Sequence, residues 1–238
     1  MAAEVIAMQI HGLNKTTLLD YPGHVAATVF CGGCNFRCPF CHNSDLVINP
    51  MSQPLISEEE ILDFLNKRKN ILSGVCITGG EPTLQPDLEN FIQRIKDLGL
   101  LVKLDTNGYR PEIVKKLVQK GLLDYIAMDI KSGTSGYKTA SGMVDFEWNN
   151  IKESIDFIMN SGVQYEFRTT VVNGIHKKED FEEIAQLIKG CDSYFLQNYK
   201  DNENVITPGF TGFSKGELET FADIVRPYVG SVTLRGID

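Results

Sequence analysis

A chain of 238 residues, 42% hydrophobic and 23% charged, is long enough to bury a sizeable core and is neither disordered, collagenous nor coiled coil. Its 31 acidic against 23 basic residues, a net charge of −8, speak against a phosphate-binding surface, so nucleic acid is not expected as a partner. Met1 to Ile10 carries Glu4 and no basic leader, and no run of about 18 apolar residues occurs, which predicts a cytoplasmic protein without signal peptide or membrane span.

The elements alternate regularly along the chain. Val25–Phe30 reads as a buried strand, and Ser57 with Glu60 opens a helix carrying Ile61, Phe64 and Leu65. Val75–Thr78 is a second strand; Leu88, Phe91, Ile92, Ile95 and Leu98 follow at helical spacing, with Gly99 as the stop. Next come a strand at Leu100–Leu104, a helix from Pro111 to near Gly121, a strand at Tyr125–Met128 and a helix with Ile151, Ile155 and Ile158. A strand at Val163–Val172 precedes a helix with Phe181, Ile184, Leu187 and Ile188. Ser193–Gln197 precedes a helix capped by Ser214 and Glu217, and Ser231–Leu234 is a terminal strand. About six βα units imply a parallel sheet covered by helices.

Polar groups follow every strand: cysteines after the first, Gly79-Gly80-Glu81-Pro82 after the second, Asp105-Thr106-Asn107-Gly108 after the third, Asp129 and Lys131 after the fourth, Arg168 in the fifth and Gln197–Lys200 after the sixth. Functional groups delivered by all strands to one face favour a barrel over a doubly wound sheet. The expectation is an α/β fold, a partial (β/α)6 TIM-like barrel forming one domain over 1–238. Two longer connections, Ser132–Trp148 and Asn198–Phe213, read as surface loops, with lids or docking edges as the functional alternative.

Six cysteines are too few for a disulfide scaffold, and four of them, Cys31, Cys34, Cys38 and Cys41, crowd one loop. Cys34, Cys38 and Cys41 in CNFRCPFCHN have spacing C-x3-C-x2-C, three soft thiolates suited to iron–sulfur or zinc ligation with one position left open. Cys31 is a rival fourth ligand, which leaves a closed electron-transfer cluster as an alternative; otherwise it is a small strand-end side chain, and Cys76 and Cys191 are packing residues. His11, His24 and His176 fall outside any motif and read as structural.

The cysteine triplet after the first strand, with Gly79-Gly80-Glu81 after the second, resembles the radical SAM superfamily, whose three cysteines hold a [4Fe-4S] cluster while S-adenosylmethionine chelates the fourth iron. TLLDYPGHVAATVF, CNFRCPFCHN, TGGEP, LDTNG and MDIK together resemble its glycyl-radical-enzyme activating group, above all the anaerobic ribonucleotide reductase activating proteins. The resemblance covers nearly the whole chain and lacks the cysteine-rich insert of some activating enzymes, so one cluster is expected.

It implies that Cys34, Cys38 and Cys41 hold the cluster. Gly79, Gly80 and Glu81 would lie at the methionine amino group with Asp105 and Asp129, Lys131 and Arg168 at its carboxylate, and Phe40 and His42 at the adenine. It further implies a monovalent cation between the Asp105 and Asp129 carboxylates and the Thr106 and Ala127 carbonyls. The activity implied is reductive cleavage of S-adenosylmethionine to methionine and a 5′-deoxyadenosyl radical that takes hydrogen from a glycine of a large partner enzyme, with flavodoxin or ferredoxin as electron donor. The alternatives are a radical SAM enzyme acting on a small molecule or modified nucleotide, and an electron carrier that uses Cys31.

Overall fold

The structure, a computed structural model, describes residues 7–237; residues 1–6, on which most of the leader reading rests, and residue 238 lie outside it. The chain falls into two compact units. The first comprises Met1–Asn35, Asp45–Thr106 and Glu112–Ile126, the second Phe36–Ser44, Asn107–Pro111 and Ala127–Asp238.

In the first unit β1 (Ile10–Thr17) runs antiparallel to β2 (Ala26–Cys31), with two register shifts along the pair. After α1 (Ser44–Ile48) and α2 (Glu58–Arg68), β3 (Gly74–Gly79) lies parallel to β2, from Ala26 opposite Gly74 to Cys31 opposite Gly79. After α3 (Leu88–Asp97), β4 (Leu101–Thr106) continues parallel to β3. α4 (Pro111–Gln119) leads into β5 (Tyr125–Asp129). β2 and β3 are buried on both faces, as near-continuous apolar runs in a helix-covered parallel sheet must be. Phe91, Ile92 and Ile95 of α3 are fully buried, each contributing about 1.5–3 kcal/mol of hydrophobic stabilisation.

The second unit begins its helices with α5 (Tyr137–Ser141) and α6 (Trp148–Met159). β6 (Gln164–Val171), α7 (Lys178–Leu187), β7 (Tyr194–Asn198), α8 (Lys215–Val225) and β8 (Val232–Arg235) follow, with β6, β7 and β8 mutually parallel in chain order. Among the described residues six βα units, β2 through α8, are present as expected, and both predicted caps form. Ser57 accepts from the Glu60 N–H at 3.2 Å, while Ser214 and Glu217 make a complete capping box.

Three elements depart from the sequence reading. β1 is not anticipated by it: Asn14, Lys15 and Thr16 are exposed, so the strand lacks the alternation that marks a half-buried one. α1 and α5 are five residues each, too short for a helical period to show. The 132–148 connection is in part built structure, since Ser132, Tyr137, Ala140 and Ser141 are buried and the Ser132 hydroxyl donates to Asp180 at 2.8 Å. Among the described residues no helix is long and apolar enough to cross a membrane.

Candidate active site

In the first unit the end of β3 meets the end of β2. Gly80 N donates to the Cys31 carbonyl and Glu81 N to the Gly33 carbonyl, both at 2.8 Å. A Cβ on Gly80 would stand 2.0 Å from the Gly33 oxygen, and one on Gly79, whose φ is +111°, 2.5 Å from backbone atoms of Cys31. The missing side chains are therefore required by chain-to-chain approach, apart from any ligand. Gly33 N is held by the Leu46 carbonyl and the Gly32 carbonyl by the Gln85 amide, each at 2.7 Å, so the entry to the cysteine loop is fixed on both sides.

Glu81 is buried, and its Oε1 accepts from Thr83 N (3.1 Å), Thr83 Oγ1 (2.7 Å) and Thr106 Oγ1 (2.8 Å), which joins the turn after β3 to the end of β4. Asp105 is ion-paired with Lys103, two residues back on the same strand face. The Lys103 ammonium is itself buried, 3.8 Å from the Cys76 sulfur and above the Tyr125 ring. Lys103 is missed by the sequence reading, because alternation along β4 alone does not reveal a buried charge.

In the second unit Asp129 at the end of β5 accepts from Lys131 at 2.9 Å and from the Arg168 Nε of β6. Burial alone would raise the Asp129 carboxyl, but Arg168 and then Lys131 outweigh it and hold it well below the usual carboxylate range. Lys131 answers in kind: burial pushes its ammonium down, while Asp129 and then Cys38 hold it well above the ordinary lysine value. Ala127 is fully buried in β5.

Cys38 is buried and Cys41 half-buried, joined by a turn in which Cys41 N donates to the Cys38 carbonyl at 3.0 Å. Burial pushes the Cys38 thiol up to about 11, with Lys131 the main opposing charge. It raises Cys41 as well, against a backbone hydrogen bond from Asn43 and the charge of Lys131. Phe40 is buried with its ring edge-on to His176, at 6.0 Å between centroids. His42 stacks on Tyr199 at 5.1 Å and bonds through Nε2 to the Lys200 carbonyl at 2.8 Å.

His176 itself links the turn after β5 to the turn after β6. Nδ1 accepts from Val172 N at 3.0 Å, so Nε2 carries the proton and donates to the Lys131 carbonyl at 2.8 Å. Burial lowers its pKa and keeps the ring neutral. A lone histidine in no motif gives no hint of this link beside Lys131.

None of the six cysteines is in a disulfide. Cys31 is a fully buried β2 residue whose thiol burial, then Glu81, push well above its ordinary value. Cys191 is buried and raised to about 12, first by burial. Three reduced thiols within one eight-residue loop are the donor set an iron–sulfur cluster takes from a protein while leaving one iron for another ligand, and metal binding displaces the protons that burial retains. In residue type and spacing these cysteines fit such a cluster, while among the described residues no group of three or more Cys, His, Asp or Glu side chains is already gathered to hold a metal ion.

The Radical SAM superfamily pattern matches residues 28–188, which span the cysteine loop and β2 through α7. The chain belongs to the radical SAM superfamily. Its parallel strands and βα units are consistent with a partial (β/α)6 barrel. Streptococcus suis SuiB bound to S-adenosylmethionine matches with TM-score 0.66 at 16% identity over 86% of this chain, although the chain spans about half (48%) of SuiB. A domain of pyruvate-formate lyase-activating enzyme from Bacteroides vulgatus matches with TM-score 0.56 at 20% identity, over 69% of this chain and 99% of that one. Among curated relatives, a Methanocaldococcus jannaschii protein named as an inferred glycyl-radical enzyme activating enzyme is 34% identical over 96% of both chains. The pyruvate formate-lyase-activating enzyme of Clostridium pasteurianum is 29% identical over 76% of both. This radical SAM chain is accordingly an enzyme, of a family that works with a [4Fe-4S] cluster and S-adenosylmethionine.

Proposed function

We propose that this enzyme installs a glycyl radical on a partner enzyme, with an anaerobic ribonucleotide reductase as the particular partner, and that 1–238 acts as one catalytic domain in a reducing cytoplasm. The observation that carries the reading is the match over 96% of both chains to a relative named for glycyl-radical enzyme activation, supported by the pyruvate formate-lyase-activating relative. Cys34, Cys38 and Cys41 are assigned as the cluster ligands. When bound, the cluster and S-adenosylmethionine supply the reducing electron and the 5′-deoxyadenosyl group that takes a hydrogen atom from the substrate.

The chain's own residues bind and orient in this scheme. The β3 end, Gly79–Glu81, would offer acceptors to the cofactor's amino group. Lys131 and Arg168 would offer cationic donors for its carboxylate while Asp129 keeps both in place, and Phe40 and His42 would serve the adenine. Burial of Phe40, Glu81 and Cys38 restricts water around these groups.

The test is anaerobic reconstitution, reduction in the presence of S-adenosylmethionine and assay of 5′-deoxyadenosine, followed by electron spin resonance after mixing with the candidate reductase. The expected result is 5′-deoxyadenosine together with a glycyl doublet on the partner. 5′-Deoxyadenosine without a glycyl signal on any such partner overturns activation in favour of a small-molecule substrate; its absence overturns the enzyme reading altogether.

A further inference from the structure

Within the second unit the cysteine loop is gripped from two directions. On one side the C-terminal end of α5 closes on it: Arg37 N donates to the Ser141 carbonyl at 2.8 Å, and the Cys38 thiol lies 3.7 Å from the same oxygen. Gly142, at φ +63°, ends α5 against Arg37, where a Cβ would stand 2.1 Å from the Arg37 carbonyl oxygen. On the other side the β7–α8 connection runs along the loop. Thr207 N donates to the Pro39 carbonyl at 2.8 Å, and the Lys200 carbonyl accepts from His42 Nε2, whose ring lies flat on Tyr199.

Apart from the Cys38 thiol, which donates to the Ser141 carbonyl, and the His42 ring, these contacts use backbone groups of the loop, so they order the chain on which Cys38 and Cys41 are mounted. Ordering a residue's backbone costs roughly 1–2 kcal/mol of conformational entropy. A loop already held does not meet that opposition when a cluster assembles. We propose that Gly142 and Thr207 are positioning residues that, through α5 and the 199–213 strap, fix the backbone of Arg37–His42, the segment that carries Cys38 and Cys41, before any metal is present. This rests on the reading of Cys34, Cys38 and Cys41 as the cluster ligands. Neither 132–148 nor 198–213 is then a dispensable loop: each carries one jaw of a clamp.

The experiment is amide hydrogen exchange on the metal-free, full-length protein, followed by cluster loading. Arg37, Cys41 and Thr207 amides are expected to be protected before iron is added. Gly142→Ala should speed exchange at Arg37 and Thr207→Pro should speed it at Cys41, each about fivefold to tenfold, the effect of one lost hydrogen bond. Thr207→Ala, which keeps the N–H, should leave the pattern unchanged. After reconstitution, the iron–sulfur absorbance of the Gly142→Ala and Thr207→Pro variants should bleach faster under a chelator than that of the parent, in proportion to the lost protection. Arg37 and Cys41 amides that exchange freely in the metal-free parent and become protected only on reconstitution would overturn the proposal, whether or not the variants fold. Because exchange is read before iron is added, failure of the clamp and failure of the functional reading show separately.

Discussion

Asp129 accepts hydrogen bonds from both Lys131 and Arg168, all three less than one-third exposed, so Asp129→Asn leaves two cations facing each other without their shared counter-charge. Removing one member of a buried pair is more damaging than the pair is stabilising; at this partial burial the loss should be about 2 kcal/mol, read as a lowered Tm of the metal-free protein. An unchanged Tm would sink the claim that this trio of charges organises the strand ends. His176 supplies a pH dependence of defined sign. Its folded pKa is depressed by burial below the ordinary 6.5, so its contribution is fully present above that value and is lost as pH falls toward the folded pKa. Between pH 7 and pH 5 this single group should remove at most about 2 kcal/mol. His176→Gln should lower Tm at neutral pH yet flatten its decline on acidification; a slope identical to the parent's would show that other groups govern it. The cysteine triplet and Gly79-Gly80-Glu81, proposed as the site, stand out from spacing because residues grouped in one loop leave a linear signature. His176 and Lys103 do not, since burial and a partner on another element have no signature in either residue's neighbours.

At the scale of elements, β2 through β7 and the longer helices could be read from period and punctuation because each of these strands carries buried residues on a helix-covered sheet and each long helix shows one apolar face. β1 escaped because one edge of an edge strand is solvated, and α5 because a single turn bounded by glycines has no period. Glycine provides the sharpest element-level test. Gly80 sits where β3 passes the cysteine-loop entry, and a methyl there meets the Gly33 carbonyl. Gly216 in the first turn of α8 has open space around it and no positive φ. Gly80→Ala should destabilise the metal-free protein by about 3 kcal/mol through overpacking against backbone, which cannot move aside as a side-chain tip can. Gly216→Ala should stabilise it by about 0.5–1 kcal/mol through helix propensity and a less flexible unfolded chain. Equal and small effects at both positions, measured by urea denaturation, would show that the strand ends are looser than the Gly80–Gly33 approach implies.

At the scale of the whole molecule the distribution of cysteines decides how much metal the chain can carry. Cys34, Cys38 and Cys41 lie on the loop, while Cys31, Cys76 and Cys191 are fully buried, the first two inside strands with paired neighbours on both sides. Cys31 sits at the end of β2 opposite Gly79, its carbonyl holding Gly80 N, and its thiol is fully buried. The three-thiolate cluster is the assignment proposed above, and the four-thiolate carrier is the alternative to be tested against it. Full reconstitution should give about 4 iron and about 4 sulfide per chain, the content of one [4Fe-4S] cluster. Cys31→Ala should keep that content while costing about 1–2 kcal/mol of stability for the cavity it leaves, and Cys34→Ala should abolish it. Addition of S-adenosylmethionine should shift the electron spin resonance of the reduced parent and of Cys31→Ala alike, because both retain an iron without a protein ligand. Loss of iron from Cys31→Ala at unchanged Tm, with a parent spectrum indifferent to S-adenosylmethionine, would instead show a closed electron-transfer cluster with Cys31 as its fourth ligand.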